Sequence, residues 1–485
     1  MSSICTRFGW LWPRVIALFI LVANAVCATN APEKSGRHLP AVRVAPDNRG
    51  FVTADGKRFV PFGVNYFRPG TGWAPQIWKQ FDPEATRRDF ARLRELGANC
   101  VRVFLTFGSF YNTPGQLSLE GLAKFDKFLE LAEEAGLYVH PTGPDHWEGM
   151  PDWAQKGRWI DDEAIENLVS FWSLFAARYR DRSVIFAYDL LNEPQIPWDN
   201  PRMRQKWNQW LQDKYGSEER LAAAWQKASE KLEFGKIDPP PRDALPGREL
   251  LDYQLFREHL ADEWTRRQGA AIKAADNNAL VTVGLIQWSV PFVMAGPWQY
   301  SGFRPARQAK FLDFLEVHFY PLAEGFYEYT GAEAEKRNLA YLEAVVREVA
   351  MAGKPVVLAE FGWYGGGKLT IDGGRHPPAT EIQQAEWCQR LIEVSIGWCC
   401  GWLNWGLYDH PQARDVTELI GLLTADGRTK EWGRVFQKIS QELAGKPVPE
   451  VREVTRPAMD WERLLIDREA VKAFRERYYT AFREQ

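Results

Sequence analysis

Ile185-Phe-Ala-Tyr-Asp-Leu-Leu191 runs directly into Asn192-Glu193-Pro194, and later in the chain Pro355-Val-Val-Leu-Ala359 runs into Glu360-Phe-Gly-Trp363. Both are short apolar runs bounded by turn-forming residues, the pattern of a strand covered on both faces, as in a parallel sheet. Each ends abruptly in a carboxylate. Working outward from these two, further strands are predicted at 59–66, 100–105, 137–140, 279–286, 314–319 and 399–407, which makes eight with 184–191 and 355–360. Helical periodicity fills the gaps at 83–96, 119–135, 161–180, 253–275, 332–352, 380–396 and 430–443, and Gly97, Gly136, Gly353 and Gly397 stand where helices should end. Only the connection between the fifth and sixth strands carries a poorly marked helix.

Eight strands alternating with helices predict an α/β fold, a closed (β/α)8 barrel rather than an open doubly wound sheet. No Gly-x-Gly-x-x-Gly follows the first strand, which argues against a dinucleotide site. In such a barrel the functional groups collect at the carboxyl ends of the strands. The strand reading puts Glu193 and Glu360 there. Residues 195–250 read as a helical insertion on the same rim, 51–445 as the barrel domain, and 446–485 as a helical appendage.

Composition narrows the possibilities. The 485 residues are 45% hydrophobic and 25% charged, an ordinary globular balance. A net charge of -3 supplies no basic field for phosphates, so nucleic acid is not an expected partner. Tryptophan occurs 22 times, often among Pro, Gly and Asp (Trp73, Trp78, Trp147, Trp153, Trp159, Trp198, Trp298, Trp363). Some of these must be packing residues; others suit stacking on the flat apolar face of a ligand such as a sugar ring.

Arg7 and Arg14 precede an apolar run over 15–26 that is short for a membrane span, followed by small residues. This predicts a signal peptide over 1–28, a linker over 29–50, and a secreted or periplasmic protein with no membrane partner after cleavage. Cys5 and Cys27 fall in that segment. Cys100, Cys388, Cys399 and Cys400 are scattered through apolar elements and read as buried thiols rather than a disulfide framework.

Two carboxyls converging over one cavity can divide the labour of glycosidic cleavage, one as acid and one as nucleophile, if their environments hold their proton affinities apart. Strands four and seven of an eight-stranded barrel lie roughly across from each other, so this convergence is feasible. A metal-dependent hydrolase on the same barrel would need several His and Asp at strand ends. Only seven histidines occur, and His318-Phe-Tyr320 lacks a second His, so neither metal nor cofactor is expected.

Together, Asn192-Glu193-Pro194, Glu360-Phe-Gly, Arg102 in Val101-Arg-Val-Phe104, His318-Phe-Tyr320, and Trp405 in Gly401-Trp-Leu-Asn-Trp-Gly406 resemble the active-site set of clan A glycoside hydrolases, most closely family 5, over roughly residues 50–440. The resemblance implies Glu193 as acid/base, Glu360 as the nucleophile, Asn192 on a sugar hydroxyl, and Arg102 and Tyr320 holding and ionising Glu360. It further implies His318 against the acid/base or substrate, and Trp405 under the sugar nearest the cleaved bond. The segment 137–147, with His146 and Trp147, and the insertion motif Trp207-Asn-Gln-Trp-Leu-Gln-Asp-Lys-Tyr215 look more like clan A β-galactosidases. The expectation is a retaining β-glycosidase with a β-linked glycan as partner, of β-mannan or β-glucan type. A β-galactosidase-like exo-enzyme or transglycosylase and an inactive glycan-binding barrel stay open beside it; oligomeric state is not legible.

Overall fold

The computed structural model describes residues 38–485 apart from 72–76, 156, 230–231, 323–330, 371–375, 445, 447–449, 451–452 and 485. The signal peptide, Cys5, Cys27 and Trp73 lie outside the described residues.

A short antiparallel sheet, β1 (Val42–Val44), β2 (Phe51–Thr53) and β3 (Arg58–Phe59), precedes a closed parallel barrel. The barrel strands are β4 (Phe62–Asn65), β5 (Cys100–Thr106), β6 (Tyr138–Asp145), β7 (Tyr188–Asn192), β8 (Val281–Leu285), β9 (Leu315–Phe319), β10 (Val356–Phe361) and β11 (Gly401–Asn404). They pair in sequence order, β11 closing on β4. Each of the eight predicted strands is present, and with the helices between them the architecture is the (β/α)8 barrel. Among the described residues no helix is long and apolar enough to cross a membrane.

Helices end where sequence chemistry says they should. Leu119–Ala135 starts on a Ser118 side-chain cap and stops at Gly136, whose φ of 73° is left-handed and suits a residue without Cβ. Between β8 and β9 only short turns and Pro305–Gln308 occur, in line with the weak signal there. The insertion folds as Met203–Tyr215 and Glu218–Trp225, the second helix ending where Gln226 turns left-handed. The appendage is helical over Trp461–Leu464 and Arg468–Arg483. Its apolar face buries Val471, Phe474 and Tyr478, and Arg475 donates to the carbonyls of Phe292 and Met294 in the loop after β8.

Two differences from the sequence reading matter. Residues 42–44, read as linker, form a strand because Val42 reaches an apolar cluster with Phe51, Phe59, Phe186, Leu280 and Phe314 under the barrel. β6 continues five residues past its predicted end at His140, through Pro141 and Pro144, because its pairing with β5 persists to Thr106↔Asp145. Asp145, not His140, therefore stands at the mouth. Cys399 and Cys400, just before β11, face different clusters, and all four described cysteines are free and buried.

Candidate active site

The carboxyl ends of the strands are where the barrel becomes irregular. Register shifts occur at Phe104/Thr106, Asp189/Asn192 and Leu358/Glu360, and Glu193, just past β7, has a φ of 47°. A left-handed glutamate costs on the order of 1 kcal/mol or more, and its backbone N–H is tied to the Gly284 carbonyl at 2.9 Å. Bulges of this kind re-aim side chains. Here they turn two acids toward each other.

Carboxylate oxygens of Glu193 and Glu360 and a ring nitrogen of His318 all lie within 4.8 Å of one another. His318 Nδ1 is 3.1 Å from Glu193 Oε1 and 3.5 Å from Glu360 Oε1. Glu360 is gripped from two further sides: Arg102 Nη1 donates to Oε1 at 2.7 Å and Tyr320 Oη to Oε2 at 3.1 Å. Gln287 fixes the Tyr320 backbone through both its N–H and its carbonyl. Asn192 Oδ1 accepts from Arg102 Nη2 at 2.9 Å. The six residues Glu193, Glu360, Arg102, Asn192, His318 and Tyr320 thus form one connected group.

Burial raises the pKa of Glu193 to about 7, with Arg102 pulling it down and Asp145 adding to the rise. Burial lowers that of His318 to about 4, so the imidazole is neutral at ordinary pH. Glu360 departs from expectation. Arg102 and Tyr320 do hold it, but burial outweighs the pull of His318 and Arg102, and its pKa is raised rather than lowered. Two carboxyls this close titrate as a pair. The direct guanidinium and phenol contacts favour the charge on Glu360 and leave the proton on Glu193, which faces the neutral His318 ring.

Trp405 follows β11, nearly buried, with its Nε1 donating to Thr417 Oγ1 at 2.9 Å and its ring braced by Phe67 and Phe104. His146 and Trp147 stand on the rim beyond β6: His146 is 2.6 Å from Asp145 Oδ1 and stacks on Trp147 at 4.5 Å. Asp145 itself adds to the rise at Glu193. Trp78, by contrast, is a packing residue, fully buried with Nε1 on the Phe104 carbonyl.

Three residues of this region were absent from the sequence reading as site members: Asn65, Asp145 and Asp189. Asn65 Oδ1 accepts from Arg102 Nη1 at 2.8 Å, and Asp189 pairs with Arg102 at 2.7 Å. Asp189 had a visible signal, a charged residue inside an otherwise apolar strand. Among the described residues, His140, Asp189 and Glu316 form a second set close enough to share an ion. Within it His140 bonds Glu316 and the Ala187 carbonyl and Asp189 serves Arg102 and Thr142, while Glu316 Oε2 is buried without a hydrogen-bond partner.

Residues 52–233 match the cellulases of glycosyl hydrolase family 5, and residues 163–362 match the β-galactosidases of glycosyl hydrolase family 42. A β-xylosidase from Phanerodontia chrysosporium is 27% identical over 122 residues, 23% of this chain and 26% of that protein. A probable β-galactosidase A from Emericella nidulans is 25% identical over 170 residues, 32% of this chain and 16% of that one. The chain therefore spans about a quarter or less of these relatives. Among solved structures, a GH5_18 protein from Streptomyces cattleya in complex with Manβ1-4GlcNAc superposes with a TM-score of 0.60 at 20% identity, covering 88% of this chain and 93% of that one. An exo-β-1,4-mannosidase from an Opitutaceae bacterium gives 0.58 at 18%, covering 82% and 62%. A β-galactosidase from Halorubrum lacusprofundi gives 0.64 at 18%, covering 85% and 62%. The chain thus shares sequence with two families of glycoside hydrolases and its barrel fold with solved glycosidases.

Proposed function

We propose that the protein is a secreted retaining β-glycosidase that cleaves a β-linked glycan by double displacement. The observation that carries this reading is the approach of Glu193 and Glu360 oxygens to within 4.8 Å across the barrel mouth. Retaining enzymes hold their carboxyls about 5–5.5 Å apart, whereas inverting enzymes leave roughly 6.5–9.5 Å for a water.

In the first step Glu360 attacks the anomeric carbon while Glu193 gives its proton to the departing oxygen. In the second, water passes a proton to Glu193 and its oxygen displaces Glu360. His318, neutral and facing both acids, adds no positive charge that would strip Glu193 of its proton. Asn192 turns its amide oxygen to Arg102, so its nitrogen serves as a donor to a sugar hydroxyl. Trp405 offers a braced ring to the sugar at the cleavage point. The fold neighbour holding Manβ1-4GlcNAc and the mannosidase support a β-mannosidic substrate. The match over 163–362 favours a second reading, exo-acting β-galactosidase. The charged amino terminus and short apolar run support secretion.

The test offers the mature protein aryl β-mannoside, β-glucoside, β-galactoside and β-xyloside, and compares Glu193→Ala and Glu360→Ala. Each variant should lose roughly 10⁴-fold or more of the wild-type rate. Full hydrolysis by either would overturn the assignment.

A further inference from the structure

Behind the two acids, Asp189 is fully buried on β7, and no step just described uses it. Its carboxylate accepts five hydrogen bonds. Oδ2 takes Arg102 Nη2 at 2.7 Å, Arg102 Nε at 3.2 Å and Thr142 Oγ1 at 2.9 Å. Oδ1 takes the backbone N–H of Gly284 at 2.8 Å and of Leu191 at 3.2 Å. Arg102, also fully buried, spends its donors on Asp189, Glu360, Asn65 and Asn192. The guanidinium is thus clamped between two carboxylates, only one of which meets substrate.

That asymmetry has a chemical consequence. When Glu360 bonds to the anomeric carbon, the glycosidic C–O bond breaks, the Glu193 proton leaves with the aglycone oxygen, and the negative charge of Glu360 is consumed in an ester. A guanidinium whose only counter-ion was Glu360 would then be an unpaired buried charge, which is strongly unfavourable. With Asp189 beside it, Arg102 stays neutralised and in place until water restores the carboxylate. Asp189 also shares the pull of Arg102 on Glu360 in the resting site, so that Glu360 is held without being quenched as a nucleophile.

We propose that Asp189 is a positioning residue, the standing counter-ion that lets Arg102 serve Glu360 through both halves of the reaction. The inference rests on the retaining reading above. The groups around the clamp are Asn65 from β4, Arg102 from β5, His140 and Asp145 from β6, Glu193 beyond β7, Glu316, His318 and Tyr320 from β9 and its end, and Glu360 from β10. Gly284 on β8 and Asn404 on β11 bring no charge.

The test measures kcat/KM against pH for full-length wild type, Asp189→Asn and Asp189→Glu, on the aryl β-glycoside that wild type cleaves fastest. In Asp189→Asn Glu360 is the one carboxylate, among the described residues, left in an ion pair with Arg102. The acid limb, which reports ionisation of Glu360, should move about one pH unit downward. Asp189→Glu keeps the charge and should keep the limb near wild type, whatever its rate. An unmoved acid limb in Asp189→Asn, with only a lowered thermal midpoint, would make Asp189 merely structural and overturn the inference. Should Asp189→Asn not fold, Arg102→Met/Asp189→Asn is compared with Arg102→Met: residues acting through one another give rates within about threefold, and a further loss of about tenfold overturns the inference. Absence of any wild-type turnover would instead overturn the glycosidase reading itself.

Discussion

The two ends of the barrel obey opposite rules. At the amino end, Phe51 meets Phe186 at 5.0 Å and Phe314 at 5.1 Å edge-on, and Phe59 meets Tyr138 at 4.7 Å, an aromatic plug beneath the sheet. At the carboxyl end the corresponding space holds Arg102, Asp189, Glu193, His318 and Glu360, linked to one another by hydrogen bonds and ion pairs, with His318 Nε2 left without a hydrogen-bond partner. The plug stabilises by removing apolar surface from water. The acid cluster costs stability, because buried carboxyls and a left-handed backbone residue are held by the rest of the fold. What differs is therefore the kind of damage a substitution does.

The largest stability effect should come from the plug. Phe51→Ala removes a ring that is 1% exposed and should cost about 3–5 kcal/mol by denaturant titration, with kcat unchanged at a temperature where the variant is folded. A comparable loss of kcat would mean that the ends are not independent. Gly284→Ala probes the border from the other side. Its Cβ would lie 3.0 Å from Arg102 Nη2 and from His318 Nε2, in a strand whose φ is otherwise ordinary. Shifting that pair should lower kcat/KM roughly 10- to 100-fold, at a stability cost of about 1–3 kcal/mol. Smallest is the effect of Glu193→Gln on stability. Folded Glu193 binds its proton up to about pH 7, the unfolded chain only to about 4.5, so this group lowers stability as pH rises through that window. The amide lacks that penalty, and the variant should be more stable than wild type at pH 8 by on the order of 1–3 kcal/mol, with no gain at pH 4. For the same reason wild-type kcat/KM should fall as pH rises through about 7, when the acid loses its proton; a rate flat across that range would contradict it.

Much of this contrast was readable from the chain. Apolar runs punctuated by glycine gave all eight strands, and an acid closing such a run located Glu193 and Glu360, since period and breaker residues are local signals. What escaped depends on contacts distant in sequence. Val42 lies in a short run interrupted by Pro40, Arg43 and Pro46, and it becomes a strand because Phe186 and Phe314 wait beneath the barrel. Pro141 and Pro144 read as the end of β6, yet pairing with β5 carries the strand on to Asp145. Asn65 and Asp189 could not be assigned before Arg102 was seen to reach both. The raised pKa of Glu360 reflects total burial, which no spacing reports.

The most direct test of the central claim is to trap the intermediate. Wild type incubated with an activated 2-deoxy-2-fluoro β-glycoside of the sugar it hydrolyses should lose activity in step with a one-to-one mass increase, and peptide mapping should place the sugar on Glu360. Label on another residue, or turnover with inverted anomeric configuration and no label, would contradict the account.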